Sequence, residues 1–380
     1  MIGATEHGVL ADDGGRVPEL TRVQPALVEL AAAAVLGGLA ARGSWLIAGA
    51  VSAVVLLALA ALPVRRRWLY QVALSWLALL RRRQGAAGRR GLVGLLGDYQ
   101  VETVPAGNHG GQLGVVHAGT TWCLPLVLAL DGVFNDDAAV PIDLLAGLLS
   151  VEDVPLSSVR LVTLTAPAQL PAYAPPGPAA PVTPLAARYC LLTLDTRRAA
   201  EAVAARGGTQ AAVHQILRRC ALHAESVLST AGLSVRRLDE AAVQALFAAW
   251  MGPTTPVAGR RAPRTVESWR DVRVAGTWST VFAVTGDGPD VTDRVARLAA
   301  AAPTPVVATT LLLQRASGRN ADVQASLLVR LSGPGSSSEV GAIGWLSRYG
   351  RTFGLVVQRL DGEQGPLLRV TTPVGIGEPA

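Results

Sequence analysis

The residues of this chain that could carry chemistry are few and lie far apart. The stretch DGVFNDD places Asp131, Asp136 and Asp137 on one loop after an apolar run. Such carboxylates could hold the metal ion of a nucleotide-sugar transferase, although the DxD spacing of those enzymes is absent. Asp, Gly and Asn are also ordinary turn formers after a strand. We favour the turn and keep a membrane-anchored, glycosyltransferase-like enzyme as the alternative.

The histidines do not form a metal-binding motif. His109 and His117 flank a Gly-rich turn, while His214 and His223 lie nine residues apart on one predicted helix. That spacing separates the two side chains by more than two helical turns, so a metal ion would need further ligands from elsewhere. The fifth histidine, His7, lies near the start of the chain. The sequence therefore predicts no metal site.

Motifs of common enzyme classes are also missing. The sequence has no GxSxG, HExxH or Walker A motif, and no GxGxxG between a strand and a helix. All 34 basic residues are Arg. Without Lys, Schiff-base chemistry, pyridoxal phosphate attachment and the P-loop lysine are excluded. We predict that the protein is not an enzyme and has no cofactor.

Composition indicates a membrane anchor that carries a soluble domain. Of 380 residues, 50% are hydrophobic and 16% charged, with a mean hydropathy of +0.35. This balance is too apolar for a typical soluble protein and too polar for a polytopic transporter. The net charge of +6 comes from eight Arg within 65–90, and the rest of the chain is slightly acidic. The basic patch therefore predicts a juxtamembrane segment and no nucleic-acid partner.

The cysteine pattern indicates a reducing compartment. Cys123, Cys190 and Cys220 are odd in number, far apart and without a CxxC pair. They provide no disulfide framework. Each is predicted to be a buried thiol that packs as a small hydrophobic side chain.

Two apolar stretches predict a transmembrane hairpin. They cover 23–41 and 45–63, and only Arg42, Gly43 and Ser44 separate them. Each approaches the roughly 30 Å of the hydrocarbon core at about 1.5 Å per residue. Glu29 is the one carboxylate within a span, about a turn and a half from the helix start, where it can reach the interface or another subunit.

Charge predicts the orientation of this hairpin. Short flanks rich in Arg stay in the cytoplasm, so the N-terminus and everything after residue 64 are predicted to be cytoplasmic. Cleavage of the first span as a signal peptide is the alternative, because GLAARGS contains small residues. The leader is acidic, with four carboxylates against two Arg, which disfavours cleavage.

The stretch RRRWLYQVALSWLALLRRR at 65–83 predicts an amphipathic helix at the membrane surface. Its apolar part, 68–80, covers only about 20 Å as a helix, which is too short to cross a bilayer. Gln71 and Ser75 belong to a polar stripe, and Trp68 and Trp76 lie on the apolar side. The predicted contacts with lipid or a partner are Arg65, Arg66, Arg67, Trp68, Trp76, Arg81, Arg82 and Arg83. A buried helix of a soluble core is the alternative.

Residues 91–380 predict an α+β domain. Strands are expected at 112–117, 121–130, 159–165, 188–196 and 233–238, with helices at 141–149, 209–231 and 239–251. From 277 onward a strand, a helix, two strands, a helix and a strand follow. This βαββαβ order matches the earlier half, so we predict a duplicated split βαβ unit, with halves at about 91–250 and 266–375. The Pro-rich stretch 166–184 is expected to form a stiff loop between two strands, with an SH3 or WW ligand as the alternative.

Several of these stretches together resemble one known family. They are the hairpin, the Arg-rich helix, GVVHAGTTWCLPLVL, the run 188–243 and ESWRDVRVAGTWSTVFAV. In their order along the chain and in their residue pattern, these stretches resemble EccE, the E component of actinobacterial type VII (ESX) secretion systems.

The resemblance implies a non-enzymatic subunit of a plasma-membrane secretion complex. Its implied partners are EccB, the EccC ATPase, EccD and membrane lipids, and it brings no catalytic residues with it. The expected domains are a cytoplasmic tail at 1–22, the hairpin at 23–64, the Arg-rich helix at 65–90 and the cytoplasmic domain at 91–380.

Overall fold

A computed structural model describes most of the chain in two compact units, residues 12–85 and residues from 86 onward. The described residues are 23–41, 44–64, 67–86, 99–105, 111–129, 140–166, 185–251, 265–274, 276–315 and 323–373. The loop with Asp131, Asp136 and Asp137, the Pro-rich stretch 167–184, and His7, His109, Arg65 and Arg66 lie outside these ranges.

The first unit begins with an antiparallel helical hairpin, as predicted. Helix α1 is Val23–Ala41 and α2 is Ser44–Ala61. The two helices pack through small side chains, with Ala31 and Ala53 at 2% and 4% exposure. At the crossing, a Cβ on Gly49 would lie 2.5 Å from the carbonyl oxygen of Ala34. Small residues at this seam therefore allow the two backbones to approach closely.

The chain reverses directly after α2. A two-residue strand, β1 (Pro63–Val64), pairs with β2 (Arg67–Trp68), and the Leu69 amide donates to the Leu62 carbonyl at 2.9 Å. Helix α3 runs Leu69–Ala86. The amphipathic helix predicted within 65–83 therefore begins only at Leu69, because Arg67 and Trp68 pair with the end of the hairpin instead. The first turn of α3 lies beside the last turn of α2.

The described residues of the second unit form one antiparallel sheet of 12 strands. The strands are β3 (Gln100–Pro105), β4 (Gln112–Ala118), β5 (Thr121–Ala129), β8 (Ser158–Ala166), β9 (Leu185–Asp195), β10 (Ser234–Arg237), β11 (Thr265–Glu267), β12 (Val272–Val274), β13 (Thr277–Gly286), β14 (Val306–Arg315), β15 (Val323–Pro334) and β16 (Leu355–Arg359). They follow one another across the sheet in the order β11-β12-β13-β15-β14-β8-β9-β5-β4-β3, with β10 paired to β5 and β16 paired to β13. A separate short hairpin joins β6 (Ser150–Val151) to β7 (Val154–Pro155).

Seven helices lie among the described residues of this unit. They are α4 (Ile142–Gly147), α5 (Ala200–Ala204), α6 (Gln210–Thr230), α7 (Glu240–Met251), α8 (Val291–Ala300), α9 (Ser336–Thr352) and α10 (Gln364–Val370). The predicted strands and helices of both βαββαβ runs are confirmed in type and order. The strands β3, β11 and β12, the β6–β7 hairpin and the helices α5 and α10 were not predicted from the sequence.

Helices cover both faces of the sheet. The larger core lies under α4, α6, α8 and α9 and includes Trp122, Leu217, Trp278 and Leu346. On the other face, α7 and α10 cover smaller clusters that include Val243, Leu368 and Val370. Residues on both sides of the central strands are therefore buried, including charged ones such as Arg160 and Arg330.

Candidate interaction surfaces and polar clusters

The predicted membrane-contact residues divide into an exposed and a buried group. Trp76 is 53% exposed, and Arg81 and Arg83 are exposed near the end of α3. Arg82 is half-buried, and Trp68 is only 6% exposed. The backbone of Arg67 lies in β2. The exposed group can therefore meet a membrane or a partner, whereas Trp68 packs inside the protein.

The exposed face of α3 is apolar over its first turns. Leu74 and Leu77 are exposed beside Trp76, while Leu79 is buried at 2%. Gln71 and Ser75 of the predicted polar stripe are half-buried. The Gln71 carbonyl Oε1 accepts a 3.0 Å hydrogen bond from the Trp68 amide. This hydrogen bond holds the Gln71 side chain at the start of the helix. The outward surface of α3 is formed by Leu74, Trp76 and Leu77, followed along the helix by Arg81 and Arg83.

The outer surface of the hairpin is almost entirely apolar. Within the part of the chain that the structure describes, two helices, Gln24–Ala41 and Ser44–Ala61, are long and apolar enough to cross a membrane. Large exposed side chains cover them, including Leu36, Trp45, Ile47 and Val54. Glu29 is also exposed. Such a surface is suited to lipid and unsuited to water.

Two of the histidines meet at one carboxylate. Glu102 on β3 contacts His117 on β4 at 2.8 Å, between Oε1 and Nε2, and His214 on α6 at 3.4 Å, between Oε2 and Nε2. The amide of Gln210 donates to Oε2 at 2.8 Å. Trp122 stacks on the His117 ring at 4.3 Å and meets the His214 ring edge-on at 5.6 Å. The cluster joins the edge of the sheet to the start of α6.

Charge and hydrogen bonding set the protonation state of Glu102. Partial burial works to raise its pKa, but hydrogen bonds from His117 and Gln210 and the charges of His117 and His214 outweigh burial. The pKa of Glu102 therefore lies below its ordinary value. Among the described residues, no three His, Cys, Asp or Glu side chains are arranged to hold a metal ion.

We expect the contribution of Glu102 to stability to vanish in acid. A carboxyl whose pKa is lowered by folding stabilises the protein above its unfolded pKa of about 4.3, and this stabilisation is lost as the pH falls through the folded pKa. Glu102→Gln should therefore cost about 1 kcal/mol at pH 7, and the difference from wild type should shrink below pH 4. Urea unfolding at both pH values measures it. Glu201→Gln, on the exposed face of α5, is the control, and an equal cost at both pH values would contradict the prediction.

A second polar cluster lies at the start of α9. Arg273 on β12 donates to Asp271 at 2.7 Å and to Glu339 on α9 at 3.0 Å. Burial and the neighbouring charge of Asp271 raise the pKa of Glu339, although Arg273 opposes them. The Ser268 hydroxyl also hydrogen-bonds to Asp271. This cluster, like that of Glu102, ties a short strand to the first turn of a long helix.

A buried arginine lies on β8 near the centre of the sheet. The Arg160 side chain is fully buried and donates to Thr193 Oγ1 at 3.0 Å, to the Val370 carbonyl at 3.4 Å and to Cys123 Sγ at 3.6 Å. The Val370 carbonyl ends α10, where a cation is favourable. Arg160 therefore connects strands of the first half of the sheet with a helix of the second half.

The three cysteines are buried, as predicted. Burial raises the pKa of Cys123, and it raises that of Cys190 and Cys220 to about 12. Thiols with such pKa values are not nucleophilic at neutral pH. The three thiols therefore pack as small buried side chains.

The fold and these surfaces define a membrane-associated α+β protein. Two apolar helices precede a large antiparallel sheet, and the polar clusters within it connect one element to another. Residues 187–284, from β9 to β13, match the family model described as "Putative type VII ESX secretion system translocon, EccE". This match confirms the resemblance to EccE over about a quarter of the chain. No curated protein matches the chain.

Proposed function

We propose that this protein is a non-catalytic structural subunit of a type VII secretion complex in the plasma membrane. The match of residues 187–284 to the EccE translocon family carries the proposal. In this proposal, the hairpin 23–64 anchors the subunit in the membrane. The α+β unit lies in the cytoplasm and contacts other components of the complex, with EccB, EccC and EccD as candidate partners. The domain boundaries expected from the sequence belong to the same proposal.

Helix α3 is proposed to lie on the cytoplasmic membrane surface. The amide of its first residue, Leu69, donates a hydrogen bond to the carbonyl of Leu62, directly after α2, so α3 would start at the level where the second span ends. Leu74, Trp76 and Leu77 would rest at the boundary of headgroups and acyl chains. Arg81 and Arg83, with Arg65, Arg66 and Arg67, would meet anionic headgroups. Trp68 is left out of this contact because it is buried.

The α+β unit is proposed to be a duplicated split βαβ unit. In the first half β10, β5, β9 and β8 pair in that order, and in the second half β16, β13, β15 and β14 pair in the equivalent order. The β8–β14 pair joins the halves. A short sequence repeat supports the proposal: AGTTW ends at Trp122 and AGTW at Trp278, and both turns contain a glycine with positive φ, Gly119 and Gly276.

The polar clusters of the two halves support the same proposal. His117 precedes AGTTW and contacts Glu102, which also meets His214 on the first turns of α6. Arg273 pairs with Trp278 as His117 pairs with Trp122, and it contacts Glu339 on the first turn of α9. In each half, a polar contact thus connects a strand hairpin to the long helix that follows it. The first half uses the imidazoles of His117 and His214, and the second half uses the guanidinium of Arg273.

Affinity purification of the tagged full chain from detergent-solubilised membranes tests the proposed function. We expect an FtsK/SpoIIIE-type ATPase and a polytopic membrane protein to co-purify. A matched control replaces residues 23–64 by an unrelated two-span hairpin, which separates contacts of the hairpin from contacts of the cytoplasmic unit. Recovery of the protein without either partner would refute the secretion assignment.

Topology can be tested with single engineered cysteines, because the native ones are buried. Ser229→Cys lies on the exposed side of α6 and Ser44→Cys at the exposed start of α2. We expect a membrane-impermeant maleimide added to intact cells to label position 44 and to reach position 229 only after lysis. The wild-type chain is the control for background labelling. Labelling at 229 in intact cells would place the α+β unit outside.

A further inference from the structure

Helix α9 exposes an apolar and aromatic face. Val340 is 77% exposed and Tyr349 is 47% exposed. The rings of Trp345 and Tyr349 stack with their centroids 4.8 Å apart and an interplanar angle of 21°. Trp345 is half-buried and packs against the larger core, so the stacking holds the exposed Tyr349 ring in a fixed position on the surface. Rigid aromatic groups of this kind are typical of the residues that dominate binding energy at protein interfaces.

Two glycines form a notch between Val340 and Trp345. A Cβ built on Gly341 or Gly344 would meet nothing within 4 Å, so packing within the described protein does not require either glycine. By contrast, a Cβ on Gly350 of the same helix would lie 2.6 Å from Val357 Cγ2. A glycine inside a helix costs about 0.5–1 kcal/mol relative to alanine. The presence of Gly341 and Gly344 is explained if the backbone of a partner helix packs closely against this part of α9.

The charge of this face is positive. Arg348 and Arg351 are exposed, and neither forms an ion pair with a carboxylate among the described residues. The one acidic residue of α9, Glu339, is 9% exposed and paired with Arg273. An acidic partner would therefore find two guanidinium groups and no repelling carboxylate on this helix.

The corresponding helix of the first half has a different surface. The outward positions of α6 include Gln215, Arg219, Leu222 and His223, of which only Leu222 is apolar and it is 38% exposed. The position of a helix over this sheet therefore does not require the exposed Val340 and Tyr349 or the two glycines of α9. Their presence on one helix only indicates a specific contact of that helix.

We propose that the face of Val340, Gly341, Gly344, Trp345, Arg348 and Tyr349 on α9 binds an amphipathic helix with acidic residues from another subunit of the membrane complex. The two glycines let the partner helix approach closely, Val340 and Trp345 border it, and Arg348 and Arg351 pair with its carboxylates. This inference rests on the proposed function, which requires the α+β unit to contact another component.

Site-specific photocross-linking in the native membrane complex tests this contact. Val340 is replaced by p-benzoylphenylalanine in the full chain, and Leu222 on α6 is replaced in the same way as the matched control. After irradiation, the cross-linked peptide is identified by mass spectrometry. We expect an adduct at position 340, at least five times stronger than at position 222, on a segment of another subunit that has helical periodicity and acidic residues.

Two double variants examine the chemistry of the face. Arg348→Glu with Arg351→Glu should lower the adduct yield at position 340 at least fivefold. Gly341→Ala with Gly344→Ala should lower it as well, while the thermal stability of the protein stays equal or increases, because alanine favours the helix. A merely structural role of the glycines would lower stability instead.

Every other outcome overturns the inference. These outcomes are an adduct no stronger than at position 222, an adduct to lipid, to this chain itself or to a segment without acidic residues, and a yield unchanged by the charge reversal. Co-purification of the translocon components, scored in the same membranes, separates the two proposals. If they co-purify without the adduct, the inference fails and the proposed function stands.

Discussion

Arg160→Ala is expected to lower the stability of the α+β unit by about 3–5 kcal/mol. The substitution removes one of the largest fully buried side chains and leaves a cavity between the sheet and α10. It also leaves the Thr193 hydroxyl and the Val370 carbonyl without the donors that Arg160 provides. For a unit of this size, the melting temperature should fall by roughly 6–15 °C.

The conservative variant Arg160→Met separates the effect of the lost side-chain volume from the effect of the lost hydrogen bonds. Methionine keeps most of the apolar volume but donates no hydrogen bond, so it should cost only about 1–3 kcal/mol. Arg297→Ala on the exposed surface of α8 is the matched control, with an expected change within about 0.5 kcal/mol. Thermal unfolding followed by tryptophan fluorescence measures all three, since Trp122 and Trp278 are buried in the sheet. Equal melting temperatures for Arg160→Ala and wild type would contradict the prediction.

The long elements of the fold were predictable because their hydrophobic pattern is regular. Strands such as β13, with Trp278 and Phe282 on one face, and the helix α6 show their period in the sequence. The strands β11 and β12 at one end of the sheet have three residues each, which is too few to show a period. Helix α10 contains Pro366 and Gly365, which disfavour a helix, and its packing against the sheet overrides that local preference.

The polar clusters could not be predicted, because they depend on pairing between distant segments. Glu102 meets His117 only through the register of β3 on β4, and it meets His214 only because α6 lies beside that edge. Alternation alone would place Arg160, within VRLVTLT, on a solvent face. It is buried because α7 and α10 cover the second face of the sheet, and α10 was not predicted. The charge of the Arg triplets, by contrast, indicated a surface segment directly, and Arg81 and Arg83 are exposed.

Gly49→Leu is expected to disrupt the transmembrane hairpin. Its Cβ would lie 2.5 Å from the Ala34 carbonyl oxygen and 3.1 Å from the Gly38 Cα. Both atoms belong to the backbone of α1, so no side-chain rotation can relieve the contact and the helices must separate. Separation also breaks the hydrogen bond from Gln24 Nε2 to the Ala60 carbonyl, 3.0 Å long and buried between the helices. We expect a loss of about 3 kcal/mol or more, at the upper end of overpacking effects.

Gly37→Leu in the same hairpin is the matched control, because a Cβ at Gly37 meets nothing within 4 Å. It adds the same side chain to the outer surface of α1, where leucine suits lipid. SDS titration of the purified protein, followed by circular dichroism, should give a lower midpoint for Gly49→Leu and an unchanged one for Gly37→Leu. Equal midpoints would show that α1 and α2 do not pack at Gly49. A lower midpoint for both would show instead that another helix covers the Gly37 side of the hairpin.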